Sequence, residues 1–196
     1  MANSIQGVDP DPAAGRRLGA WLSLPLLVAA AVTVGLYVFG TQHVPDYSTS
    51  LFGATAADTL PLKSWLGTGL LALAGVQVAL ATWMYGRLPW AGVAPGSVVT
   101  GHRVVGACAL LLTFPLAYHC AFAYGVQTNV DARVAVHSLA GCFFYGAFAA
   151  KVTIVRSRRC PGWTLPAVGA VLAGLVAVLW YTSALWYFNG YRLPIL

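Results

Sequence analysis

Residues 101–124 read GHRVVGACALLLTFPLAYHCAFAY, and residues 132–156 read ARVAVHSLAGCFFYGAFAAKVTIVR. Each stretch is long and apolar enough to cross a bilayer core, which needs about 20 such residues per helix. A short polar connection separates them, so the two helices run antiparallel. His119 and His137 therefore lie near facing ends of the two helices, each about one turn from the connection.

The same apolar character extends over the rest of the chain. Hydrophobic residues make up 59% of the 196 residues and charged residues 8%, whereas a soluble domain is roughly a quarter charged. Three further apolar stretches, at about 18–40, 63–86 and 165–189, bring the predicted spans to five. The predicted fold class is all-α: an integral membrane bundle of five transmembrane helices over 18–196, preceded by a cytoplasmic tail at 1–17.

Lysines and arginines predict the orientation, since cytoplasmic connections carry the excess of positive charge. One side of a five-span chain carries Arg16, Arg17, Arg87, Arg103, Arg156, Arg158 and Arg159. The other side carries Lys63, Arg133 and Arg192, together with Asp46, Asp58 and Asp131. We expect the amino terminus inside and the carboxyl terminus outside, with both histidines toward the outer face. The net charge of +6 follows from this topology and gives no reason to invoke nucleic acid.

The two histidines are candidate ligands of one haem iron. An ionisable side chain inside a span is costly and marks a functional site. Gly141, one turn inward from His137, leaves room for a flat macrocycle against the helix backbone. Pro115, four residues before His119, is expected to kink the third span and help aim that imidazole. The alternative is that both histidines are interfacial hydrogen-bonding residues.

The cysteines and acidic residues narrow the chemistry. No C-x-x-C pair is present, so neither covalent haem attachment nor an iron–sulfur site is encoded, and any haem is b-type. Cys120 follows His119 but points about 100° away from it on a helix. We interpret all four cysteines as small apolar packing residues. The chain has no glutamate, and its aspartates lie outside the apolar cores, which argues against a proton-coupled transporter.

His102 has no histidine partner at its own depth. It shares a helix with His119 but lies about 25 Å from it along the axis. Met84 and Lys151 are the alternative ligands near that depth, and Lys151 also suits a snorkelling role toward the headgroups. We expect His102 and Arg103 to contact lipid phosphate groups or a partner. We therefore expect one haem and not two.

Two further classes of function remain open. His43 lies in the first outer connection, and with His119, His137 and either Asp46 or Asp131 it offers ligands that suit copper, iron or zinc. That site requires the first outer connection to fold over the bundle. The other alternative is a structural subunit of a respiratory complex, in which the histidines only hydrogen-bond.

Several motifs resemble a known group of proteins. They are GHRVVG at 101–106, YHC at 118–120, HSLAG at 137–141, YGAFAAKV at 145–152 and WYTSALW at 180–186, with PDYSTSLFG at 45–53 and LKSWL at 62–66 upstream. Together they resemble an uncharacterised family of actinobacterial five-helix membrane proteins over most of the chain.

More distantly, the arrangement is similar to the cytochrome b561 and ferric-reductase superfamily, in which histidines on antiparallel helices bind haem b. The resemblance implies an electron-transfer subunit of an oxidoreductase in the bacterial cell membrane, with His119 and His137 as axial ligands. It departs from the di-haem pattern because the four histidines do not form two cross-membrane pairs. Since the chain has no soluble catalytic domain, we expect a larger complex. The expected electron partners are membrane quinol or an extracytoplasmic Rieske or copper protein.

Overall fold

A computed structural model describes residues 12–157 and 160–193, which form six α-helices and two π-helical segments. The helices are α1 (Pro12–Gln42), α2 (Ala56–Met84), α3 (Gly96–His119), α4 (Ala132–Ser157), α5 (Thr164–Trp180) and the short α6 (Trp186–Phe188). The π-helical segments are π1 (Cys120–Tyr124), which continues α3, and π2 (Tyr181–Leu185), which joins α5 to α6. The orientation argument also used Arg158, Arg159 and the side chains of Arg16 and Arg17, which lie outside the described residues.

Five stretches of the described chain are long and apolar enough to cross a membrane. They are Trp21–Gln42, Ala57–Met84, Gly96–Tyr124, Ala132–Ser157 and Thr164–Phe188. A helix satisfies its backbone N–H and C=O groups internally, which is why apolar segments of this length are helical in lipid. The predicted fold class is confirmed: the protein is an all-α, multi-pass membrane protein with five spans.

Two helices begin earlier than their apolar patterns indicated. α2 begins at Ala56, where the apolar run predicted a start near residue 63. The Thr55 hydroxyl donates a 2.7 Å hydrogen bond to Asp58 in the first turn, where a carboxylate stabilises a helix N-terminus. α1 is already helical at Pro12, the first residue that the structure describes. Both helices therefore extend beyond the apolar runs, and polar residues form the first turn of α2.

The long helices do not pack in chain order. α4 packs against α1 and α5, and α2 packs against α5 and α3. α3 and α4 are consecutive, yet within the described residues they share no extended backbone contact. Side chains bridge this α3–α4 seam instead, because the Tyr145 hydroxyl donates a 2.9 Å hydrogen bond to Thr113 Oγ1. The seam is therefore filled by side chains and not by closely packed backbones.

The centre of the bundle is apolar, and its closest helix contact uses a glycine. The buried core cluster contains Leu70, Phe144, Leu172 and Val176. On α4, a Cβ atom added to Gly146 would lie 2.7 Å from the Ala29 carbonyl oxygen of α1. Small residues allow membrane helices to approach this closely. Gly146 therefore sets the distance between α1 and α4.

The connection between α1 and α2 folds over the end of α3. The Asp46 amide donates a hydrogen bond of 3.0 Å to the Phe122 carbonyl of π1. This covered end is called the His119 end and is the one predicted to face outward. The opposite end of the bundle, predicted to face the cytoplasm, is called the His102 end.

Candidate functional site

His119 is buried inside the bundle at the last position of α3. Its side chain is only 2% exposed, and Pro115 precedes it by one turn within the same helix. Lys63 Nζ of α2 lies 3.4 Å from His119 Nδ1 and 4.7 Å from the centre of the Tyr124 ring. The backbone of Thr49, in the connection between α1 and α2, contacts the same imidazole. An ammonium group can only donate, so His119 Nδ1 is the acceptor in its contact with Lys63.

His137 of α4 makes a hydrogen bond whose direction follows from its partner. Its Nδ1 lies 2.9 Å from Thr182 Oγ1, and the Thr182 hydroxyl donates to the Val178 carbonyl at 2.7 Å. A hydroxyl has one proton, so Thr182 accepts and the His137 Nδ1–H donates. The Nε2 atom of His137 therefore carries a lone pair, as in a histidine that ligates a metal through Nε2.

Cys120 links the two imidazoles. Its thiol interacts with the His137 imidazole and with the Lys63 ammonium group. The resulting polar network crosses the bundle in the order His119, Lys63, Cys120, His137 and Thr182. The prediction that Cys120 is only an apolar packing residue is wrong, because its offset from His119 around the helix brings the thiol toward α4. The four cysteines are all free, so Cys120 is not in a disulfide.

Two π-helical segments shape the His119 end. π1 begins directly after His119, and π2 contains Thr182, which is 1% exposed. Short π-helical segments within α-helices are rare and are frequently found at functional sites. Both segments lie at the same end of the bundle, where they place Cys120 and Thr182 around His137.

Sequence reasoning missed Lys63, Cys120 and Thr182 as site residues. Lys63 was taken as a charge at the start of a span, but α2 begins at Ala56, so Lys63 lies within the helix. Thr182 lies in the WYTSALW motif, where the helix becomes π-helical. The apolar pattern of the sequence does not change at this point, so it did not single out Thr182. The one signal for Lys63 in the sequence was the pair of polar residues Thr55 and Asp58. They indicate that α2 begins before residue 63, which places Lys63 inside the helix.

The helix position one turn from His137 is uncrowded. A Cβ atom on Gly141, one turn from His137, would have no neighbour within 4 Å. Gly106 has the same offset from His102, but there a Cβ atom would lie 3.3 Å from the Gln77 amide oxygen. The space over the helix backbone is therefore open at Gly141, whereas the Gln77 side chain occupies the corresponding space at Gly106.

Two cations lie close to the network at the His119 end. Besides Lys63, Arg133 lies on α4, where its Nη1 donates to the Thr182 carbonyl at 3.0 Å and its guanidinium covers the Trp186 ring at 3.9 Å. Asp131 is 3.9 Å from Arg133 but is 50% exposed, and such surface ion pairs contribute little. The two cations therefore favour an anionic group at this end.

His43 and Asp46 are engaged away from the network. His43 Nε2 lies 3.2 Å from the Phe122 carbonyl oxygen, and its ring stacks on Phe39 with centroids 5.6 Å apart. Hydrogen bonds from Ser48 hold the pKa of the Asp46 carboxyl below its usual value. Among the described residues, no three His, Cys, Asp or Glu side chains converge on a possible metal position. The outer connection does fold over the bundle, but it does not assemble the three-histidine site.

The remaining candidates lie at the His102 end. His102 Nδ1 is buried and has no hydrogen-bond partner among the described residues. Lys151 of α4 is close enough to act on His102 electrostatically. Met84 ends α2 and is 36% exposed. This end thus contains one imidazole and one ammonium group, and no histidine pair.

The chain belongs to DUF6529, a family of unknown function, whose profile matches residues 22–195. No curated protein and no solved structure matches the chain. The match extends over the five spans, so the whole bundle is the family's domain. The family assigns no activity, and a function must be argued from the geometry of the site.

Proposed function

We propose that the protein is a b-type cytochrome subunit that carries electrons through one haem b, held in the α3–α4 seam by His119 and His137. The observation that carries the proposal is the hydrogen bond between His137 Nδ1 and Thr182 Oγ1. With Nδ1–H donating to Thr182, the lone pair of His137 is on Nε2, and iron would take the place of the Cys120 thiol beside this imidazole. Hydrogen bonds of this kind orient ligating histidines in metal sites.

We place the macrocycle in the α3–α4 seam. The two backbones do not pack on one another, and open space lies over Gly141. Two pockets of about 450 and 430 Å³ lie among the connections and are lined by neither His119 nor His137. Room for the macrocycle therefore has to come from the seam, with displacement of the Lys63 and Cys120 side chains.

Ligation by His119 requires one local change. A Lys63 ammonium that donates to Nδ1 keeps the ring proton of His119 on Nε2, which opposes ligation through Nε2. The lysine stem is flexible, so a rotation can move Nζ from the imidazole. Haem b carries two carboxylates, and Lys63 and Arg133 are suitably charged partners for them at this end. The residues present therefore fit the group.

Haem b would supply one-electron chemistry, and two axial imidazoles leave no open coordination position for oxygen activation. The chain's own residues provide the ligands, a buried pocket of low dielectric constant and nearby positive charge. We propose membrane quinol or an extracytoplasmic Rieske or copper protein as the electron partner. In this proposal the chain acts within a larger oxidoreductase complex and not as a stand-alone enzyme.

An absorption spectrum of the purified full chain tests the proposal. We expect Soret and α bands and, by pyridine haemochrome, one haem per chain. His119→Ala and His137→Ala should each lose most of the haem. His43→Ala is the matched control, because His43 lies at the same end but is bonded to Phe122. Loss of haem in His43→Ala as large as in His137→Ala would contradict the ligand assignment.

The same purification separates the alternative functions. A chain with no haem bands but with bound copper, iron or zinc would favour the non-haem metal site. A chain with neither haem nor metal, purified together with respiratory subunits, would favour a structural role. Either result would overturn the haem proposal.

A further inference from the structure

A second polar site lies at the His102 end, apart from the network around His137. His102 Nδ1 is buried without a hydrogen-bond partner in the described part of the chain. The Gln77 side chain reaches His102 from α2, but its amide nitrogen donates to the His102 backbone carbonyl at 2.7 Å. The ring also contacts the Gln77 backbone, but its Nδ1 atom is left without a partner, which costs free energy that a ligand could recover.

Lys151 approaches the same place from α4. It is partly buried and close enough to act on His102 electrostatically. His102 lies six residues after the start of α3, and Lys151 lies six residues before Ser157, the last described residue of α4. Both are thus about 9 Å along their helices from Gly96 and Ser157, which places them at a similar depth across the α3–α4 seam.

No acidic side chain of the described residues neutralises this pair. The chain contains no glutamate, and the aspartates within residues 12–157 and 160–193 all lie toward the His119 end: Asp46, Asp58 and Asp131. The exposed charges around the His102 end are positive too: Arg87, Arg103 and Arg156. Within the described residues Lys151 has no carboxylate partner, and an ammonium group is costly at this depth, so this pair favours an anionic ligand.

We propose that His102 and Lys151 bind the phosphate group of an anionic phospholipid from the leaflet at the His102 end. The Lys151 ammonium is its first donor, and His102 Nδ1 is the second when the imidazole carries its proton on that nitrogen. α3 is roughly 36 Å long and the hydrocarbon core is about 30 Å thick, so the pair lies just below the headgroups. Lysine side chains snorkel over such distances, and basic pockets between membrane helices bind anionic headgroups. This site is independent of the proposed haem site.

Native mass spectrometry of the full chain in detergent tests the proposal, with phosphatidylglycerol as the probe. We expect a retained phosphatidylglycerol adduct on the wild type. Its affinity should fall roughly tenfold in Lys151→Met and in His102→Phe, since each loses one charge-assisted or buried hydrogen bond. Lys151→Arg should retain the lipid. Arg87→Gln removes an exposed cation at the same end and should leave binding unchanged.

Four results would overturn the proposal. They are equal phosphatidylglycerol binding by wild type and Lys151→Met, equally strong binding of zwitterionic phosphatidylcholine, displacement of the lipid by millimolar inorganic phosphate, and a second haem that is lost in His102→Phe. Circular dichroism shows whether each variant folds. If Lys151→Met does not fold, the comparison of His102→Gln with wild type carries the same test.

Discussion

Three histidines of this bundle differ in what holds their ring nitrogens. His137 donates from Nδ1 to Thr182, so its lone pair is on Nε2. His119 has its Nδ1 in contact with Lys63. His102 has a buried Nδ1 with no partner in the described chain. Iron needs a nitrogen with a lone pair, and an anion needs an N–H donor. These differences favour iron at His137 and an oxygen-rich anion at His102.

The Thr182 hydroxyl is the residue-scale test of the His137 tautomer. Thr182→Val keeps the shape of the side chain and removes the acceptor of the His137 hydrogen bond. Loss of such a partner typically lowers metal affinity 10–100-fold, so we expect a haem affinity reduced by about that factor in a haem titration. Ser183→Ala is the control, because that hydroxyl donates only to the Leu179 carbonyl of its own helix. A Thr182→Val variant with wild-type haem affinity would show that this hydrogen bond does not fix the ligand.

The positive charge of Lys63 should raise the reduction potential of the proposed haem. A nearby cation favours the reduced state, whose net charge is lower by one unit. Lys63→Met should therefore lower the midpoint potential by on the order of tens of millivolts, given partial solvent screening of the charge. A redox titration of the purified protein measures it. Lys63→Arg keeps the charge and should stay close to the wild type, and an unchanged potential in Lys63→Met would place the haem away from Lys63.

At the scale of whole elements, the closest contact between spans is the one at Gly146. Substitution by alanine places a methyl group 2.7 Å from the Ala29 carbonyl oxygen, so α1 and α4 must separate. We expect Gly146→Ala to destabilise the protein by about 1–3 kcal/mol, as overpacking does. Thermal or detergent unfolding measures the change. Gly174→Ala on α5 meets nothing within 4 Å and should be neutral or stabilising, so equal effects of both would contradict close α1–α4 packing.

The existence of the helices could be predicted from sequence, and their arrangement could not. Apolar length alone identifies five spans, because lipid leaves a long apolar segment only helical solutions of this size. Hydropathy contains no information on which helices touch, so the packing of α4 between α1 and α5 was not anticipated. The π-helical segments were missed for a related reason. A π-helical turn contains about one more residue than an α-helical turn, and this difference does not change the apolar composition of the stretch.

The candidate site was predictable only in outline. The short connection between the third and fourth spans places His119 and His137 at one depth, and the structure keeps both at the same end. Their neighbours come from α2 and α5, which are distant in sequence. Lys63 and Thr182 could therefore be recognised only once the packing of those helices was known.

For the molecule as a whole, the charge distribution predicts the side on which the histidine network lies. Positive residues concentrate at the His102 end, which normally faces the cytoplasm. A phosphatase fusion after residue 196 should be active, and a fluorescent-protein fusion after residue 160 should fluoresce. Fluorescence from the fusion after residue 196 would contradict the predicted orientation, because it would place the carboxyl terminus in the cytoplasm.

That orientation and the single haem together predict electron exchange at the outer face only. His119 ends α3, so the opposite end of this helix lies roughly 35 Å away along the axis. His102 and Lys151 at that end do not form a histidine pair that could hold a relay haem. We therefore expect transfer across the membrane to need another subunit.

Oriented proteoliposomes measure this directly. A membrane-impermeant reductant added at the His119 side should reduce the haem much faster than the same reagent confined to the His102 side. His102→Phe should leave the fast phase unchanged, because His102 lies outside the network that holds the haem. Equal rates from both sides would mean that electrons cross the bundle by themselves. The α3–α4 seam, with Tyr145 and Thr113 bonded at its middle, would then be the path to examine.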